Sequence, residues 1–174
     1  YREDGASSVG LSSELYMASK EIYYCPFKAS NSTGPITLNL RRAYALLRFN
    51  FIRGIADGTP TSAKGEYTGD GKISSFTFKA TLRIAGILDL FTGTVEGEAR
   101  EVAFNYNVPI SIGTTAAPAV LDYMVVPSDF TGELSFTLMV DGKEMKGKIS
   151  ASDLCGTSGK LAEGTKYEIN AIIR

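Results

Sequence analysis

The chain has 174 residues, 44% of them hydrophobic, enough for one domain with a sizeable core and too few for two ordinary ones. Lys and Arg number 18 against 19 Asp and Glu, a formal charge of -1 with the charges scattered singly; no cationic surplus exists to neutralise phosphates, so nucleic acid and anionic membrane surfaces are not expected partners. No apolar run approaches the roughly 20 residues of a membrane-spanning helix, and the lack of any histidine rules out Ser-His-Asp and Cys-His catalysis and histidine-ligated metals.

Tyr1 to Ser13 is polar, small and rich in Gly and Ser, which predicts an extended or mobile leader over 1–13 ahead of one domain over 14–174. Tyr1 in place of a start methionine fits the removal of a secretory signal without requiring it. Glu14 to Phe27 holds apolar and aromatic residues without a clean period, as a short strand or a helical turn closed by Pro26 would. Its Tyr16, Tyr23, Tyr24 and Phe27 form a candidate patch for stacking on a sugar, against the blander role of capping one end of the core, which is the expected one. Ser30 to Pro35 is a turn cluster, and its Asn31-Ser32-Thr33 matches the glycosylation pattern at a length that arises often by chance.

From Ile36 to Arg53, apolar residues fall on Ile36, Leu38 and Leu40 and then on Ala43, Ala45, Leu47, Phe49 and Phe51, a two-residue period that changes phase near Arg41 and Arg42. A bulge does this. It predicts one long strand, bent so as to leave one sheet and join its neighbour. A helix would also gather Leu40, Ala43, Tyr44, Leu47 and Phe51 on one face, but Phe49, Phe51 and Ile52 suit a pleated surface and no N-cap residue stands where a helix would begin.

Gly54 to Lys72, with five glycines, Pro60 and two Asp-Gly pairs, reads as a long connection with room for a short strand around Glu66 to Thr68. Ile73 to Ile84 alternates as a half-buried strand, and Ile87 to Gly93 reads as a second short strand or an edge segment. Val102, Phe104, Tyr106, Val108, Ile110 and Ile112 share a parity interrupted by Pro109, which puts that point at an edge, a bulge or a strand start. Ala119 to Val126 reads as a strand covered on both faces. Two alternating runs joined at Asp141-Gly142 predict a hairpin with a type I′ turn, both central residues needing positive φ. Ser150 to Gly164 is a connection, and Tyr167 to Ile173 the closing strand. The whole predicts an all-β fold, a two-sheet antiparallel β-sandwich of about seven to nine strands.

Chemical motifs are few. Gly156-Thr157-Ser158-Gly159-Lys160 has two residues between its glycines where a phosphate loop has four, and Leu161 stands where magnesium would need a hydroxyl. Asp57-Gly58, Asp70-Gly71 and Asp141-Gly142 lack the ligand spacing of a calcium loop and read as turns. No catalytic residue, metal or cofactor is expected. Cys25 and Cys155 could pair as a disulfide in an oxidising compartment; the expected alternative is two unpaired cysteines packed as small apolar residues.

Several stretches in order resemble the fimbrillin family, the surface pilins and fimbrillin-like proteins of Bacteroidales. They are E-L-Y-M-A-S-K at Glu14 to Lys20, the run from Ile36 to Phe51, I-S-S-F-T-F-K and G-I-L-D-L-F-T-G between Ile73 and Gly93, Y-M-V-V-P at Tyr123 to Pro127, L-S-F-T-L-M-V-D-G-K at Leu134 to Lys143, and E-G-T-K-Y-E-I-N-A-I at Glu163 to Ile172. The resemblance implies a transthyretin-like, Greek-key sandwich, export by a lipoprotein signal to the bacterial surface or outer membrane, and a non-enzymatic role in adhesion. It also implies partners: other fimbrial subunits joined by β-strand donation after a protease cuts at an arginine, Arg2, Arg53 or another. The alternative is a surface module that binds a host protein or glycan through its loops and never polymerises. Two departures stand out: members of the family have two such domains where this chain has room for about one, and no donor tail follows the closing strand, as in a fragment or a reduced member.

Overall fold

The structure is a computed structural model that describes residues 7–26, 34–35, 37–54, 66–107 and 109–174. The strands begin with β1 (Ser8–Ser12), β2 (Glu14–Leu15), β3 (Tyr23–Tyr24) and β4 (Arg41–Arg42). There follow β5 (Ala45–Arg53), β6 (Lys72–Arg83), β7 (Ala85–Asp89), β8 (Val95–Glu96), β9 (Ala99–Tyr106) and β10 (Ile110–Ser111). The second half holds β11 (Ala119–Val125), β12 (Ser128–Asp129), β13 (Glu133–Val140), β14 (Lys143–Ser150), the short helix α1 (Ala151–Cys155), β15 (Lys160–Leu161) and β16 (Lys166–Ile173). Nine of these strands have five residues or more, as the alternation predicts, and the fold is an all-β sandwich. Among the described residues no helix is long and apolar enough to cross a membrane.

Sheet one runs β16-β5-β11-β2. Sheet two runs β6-β13-β14, with β9 and β10 end to end along the other side of β6. Their facing sides meet through phenylalanines: Phe49 of β5 lies 4.7 Å from Phe76 and 5.2 Å from Phe78 of β6, and Phe51 lies 5.3 Å from Phe76, ring centre to ring centre. All four are buried, each contributing about 1.5–3 kcal/mol by leaving water. The β13–β14 hairpin turns at Asp141 and Gly142 with φ of 49° and 76°, both positive as a type I′ turn requires. In β6 the core parity of Phe76 to Leu82 slips to Ile73, because Ser74 is an extra residue opposite the Met139–Val140 step of β13.

Three expectations are corrected. Residues 36–53 do not make one bulged strand: 37–40 form none, with Leu38 and Leu40 exposed, β4 pairs with β3, and β5 starts only after a bend at Ala43 and Tyr44. Ala43 and Tyr44 are consecutive and both buried, which a flat strand cannot achieve because neighbours point to opposite faces. The strand that crosses between sheets is β6: it leaves sheet two past Ile84 and continues as β7 in a third sheet, β1-β7-β8. The second correction concerns 8–12, which are strand β1 paired with β7 along its length, with Leu11 buried, so the leader does not extend through residue 13. The third is direction. β16 pairs with β5 in parallel, from Lys166↔Leu46 to Ile173↔Arg53; with most of the chain between them, no hairpin forces an antiparallel arrangement.

The third sheet covers part of the outer face of sheet one. Leu11, Tyr24, Ala43, Tyr44, Leu88, Met124 and Val126 form this second core, and Met124 is the point where β11 is buried on both faces. At the other end of β11, Val120 is exposed, so the expectation of a strand covered on both faces holds only for its second half.

Candidate functional site

A sandwich of two sheets is open along two sides unless something fills the gap between the edge strands. On one side α1 does so: Ser150 caps it by accepting from the Asp153 N–H at 3.1 Å, and Ala151, Leu154 and Cys155 pack on the main core between β14 and β16. On the other side, among the described residues, only β2 stands opposite β9. Its two residues pair with Tyr123 and Met124, a further hydrogen bond joins the Tyr16 N–H to the Asp122 carbonyl at 3.0 Å, and the chain then turns away through a 3-10 turn at Ala18–Lys20.

What remains is an apolar groove of about 380 Å3 between β9 and the β2–β11 edge. Phe76, Phe78, Leu121 and Tyr123 form its floor, Phe104 and Tyr106 one wall, and Leu15 and Met17 its rim. The rings are in contact, Phe104 with Tyr123 at 4.2 Å and with Phe78 at 4.7 Å. Val102, Phe104 and Tyr106 carry core parity yet are only half-buried, whereas Ala80, Phe78 and Phe76, which pair with them, are buried. Among the described residues nothing pairs with the outer edge of β9. Polar anchoring is sparse: the Tyr123 hydroxyl, whose pKa burial pushes up, donates to the Ser13 carbonyl at 2.8 Å, and Glu14 and Asn105 reach the mouth.

In the dipeptide Tyr23-Tyr24, Tyr24 is buried in the second core while Tyr23 is 48% exposed, so the sugar-stacking patch is split. The Tyr24 hydroxyl donates to the Glu163 carboxylate, and burial followed by that carboxylate raises its pKa to about 12. Tyr23 donates to Glu21 at 2.9 Å, accepts from Arg42 at 3.2 Å and lies 5.8 Å from the Arg42 guanidinium; Tyr16 is exposed. Phe27, Asn31 to Thr33, Arg2 and Asp57-Gly58 lie outside the described residues. Cys25 and Cys155 are both free thiols: Cys155 packs against the main core, and burial pushes its pKa up. Arg53 is held at the end of β5, donating to the carbonyls of Tyr67 at 2.7 Å, Gly69 at 2.8 Å and Asp70 at 3.1 Å. Among the described residues no group of three or more Cys, Asp or Glu is placed to hold a metal ion.

The arrangement of two sheets, third sheet and open side can be set against known proteins. The chain shares its fold with two Bacteroides proteins. One, a proposed cell adhesion protein from Bacteroides uniformis, superposes with a TM-score of 0.59 at 16% identity over 99% of this chain and 64% of its own. The other, a proposed cell adhesion protein from Bacteroides ovatus, gives 0.55 at 9% identity over 95% of this chain and 55% of its own. The chain thus spans less than two thirds of either neighbour's length. No family model matches the chain, and no curated protein matches it in sequence.

The groove was only partly visible in the sequence. Pro109 marks β9 and β10 as an edge, and the structure has them there. That Leu15, Met17, Leu121 and Tyr123 would face Phe104 across a gap depends on β2 being two residues long, which no local pattern encodes.

Proposed function

We propose that the chain is a non-enzymatic cell-surface adhesin-like subunit of the fimbrillin type, exported through the periplasm, whose groove accepts an extended strand donated by another subunit. The observation that carries this reading is the apolar groove beside the free edge of β9. An unpaired edge offers backbone N–H and C=O groups for a ladder, and the half-buried Val102, Phe104 and Tyr106 offer apolar seats for alternate side chains of the incoming strand. The likeness in fold to two proposed Bacteroides adhesion proteins supports the surface role, and the resemblance of the sequence to fimbrillins supports assembly.

Limited tryptic cleavage followed by electron microscopy and sizing tests it. The expected result is a cleavage product that forms ladders or fibres, and Phe104→Asp, which sets a carboxylate in the wall of the groove, abolishes them. Should no cleavage product assemble while a soluble glycan or host protein binds, the chain is the non-polymerising binder instead.

A further inference from the structure

Exposed strand edges attract other strands, and this protein guards its edges unequally. β14, at one edge of sheet two, carries Lys143, Lys146 and Lys148. β16, at one edge of sheet one, carries Lys166 and Glu168. β9, at the opposite edge of sheet two, holds neither charge nor proline from Val102 to Tyr106, and it borders the apolar groove.

We propose that two copies of the chain pair β9 against β9, antiparallel across a two-fold axis at Ala103, so that sheet two runs continuously through a homodimer. A two-fold axis perpendicular to the sheet sets residues of like facing opposite one another, which limits the registers available. Centring on Glu101 would oppose two carboxylates. Centring on Ala103 sets Val102 against the partner's Phe104, Glu101 against the partner's Asn105 and Arg100 against the partner's Tyr106, with no like charges opposed. The exposed Leu15 and Met17 on each groove rim then turn toward the other copy. The inference rests on the reading of the groove as a strand acceptor: self-pairing and donation use one edge, so the dimer keeps that edge closed until a donor strand displaces the partner.

Sedimentation of the intact chain across the micromolar range tests the pairing, and the expected mass is twice 18.7 kDa. Ala103 is exposed and faces away from the core, so A103K and A103E spare the groove while opposing like charges at the axis. Each variant alone sediments as a monomer, and an equimolar mixture restores the dimer. A monomeric parent chain, a dimeric A103K chain or a mixture that stays monomeric overturns the proposal. The two readings separate by sample, pairing being read on the uncleaved chain and strand donation on the cleaved one: a monomeric parent that forms fibres after cleavage overturns the pairing alone, and a dimeric parent that forms none removes strand donation while the sedimentation result on pairing stands.

Discussion

Ser13 joins three segments of the chain through its side chain and its backbone N–H and C=O. Its N–H donates to the Ile84 carbonyl at 2.7 Å, its hydroxyl donates to the Arg83 carbonyl at 2.7 Å and accepts the Val126 N–H at 2.8 Å, and its carbonyl accepts the Tyr123 hydroxyl. Val126 is fully buried, so Ser13→Ala leaves its amide without a partner. The expected loss is about 1–3 kcal/mol of stability, read from urea unfolding. Asp141 is a different kind of clasp. Its carboxylate accepts the Tyr67 hydroxyl at 2.6 Å and the amides of Gly71 and Lys72 at 2.8 Å, and these bonds, Tyr67 foremost, hold its pKa below the ordinary carboxylate value. A depressed folded pKa means that the stabilisation is complete above the unfolded value of about 3.9 and fades as the pH falls through the folded one. Asp141→Asn tolerates the φ of 49° but has no charge to lose, so its unfolding midpoint falls less steeply with acid than that of the parent chain.

At the scale of elements, the β13–β14 hairpin depends on a missing side chain. A Cβ on Gly147 would lie 2.3 Å from Cζ of Phe136, its cross-strand partner. Gly147→Ala therefore displaces the ring from its place near Phe76 and costs about 1–3 kcal/mol, measurable as a lowered melting temperature with loss of near-ultraviolet dichroism. This hairpin and β6 were legible in the sequence because local rules suffice for them: Asp141-Gly142 dictates its turn, and the alternation from Phe76 to Leu82 dictates its buried face. The run through Arg41 and Arg42 has the alternation of one bulged strand, yet it breaks at a bend that buries Ala43 and Tyr44 in a second core. That core is invisible in the sequence because Leu11 sits among small and polar residues that look like linker, and no local pattern brings it to Leu88. The groove was illegible for a related reason: it is a gap between β2 and β9, and a gap has no sequence period of its own.

At the scale of the molecule, the open side and the clasped arginine together decide where a protease can act. The Arg53 guanidinium is taken up by three carbonyls and lies 5.6 Å from the Tyr67 ring, so it cannot enter a trypsin specificity pocket without unfolding the end of β5. Brief digestion of the native chain, analysed by mass spectrometry, is expected to leave the bond after Arg53 intact and to cut elsewhere. The parallel pairing of β16 with β5 has a further effect, on the order in which the protein can form. Asn50 and Asn170, joined side chain to side chain at 2.8 Å across that pair, are 120 residues apart. A chain emerging from a ribosome or a translocon releases β5 first, and β5 must wait with one flank bare until β16 arrives, since closing so long a loop is slow. Until then sheet one is unfinished, and the bare flank of β5 is open to pairing with strands of other chains.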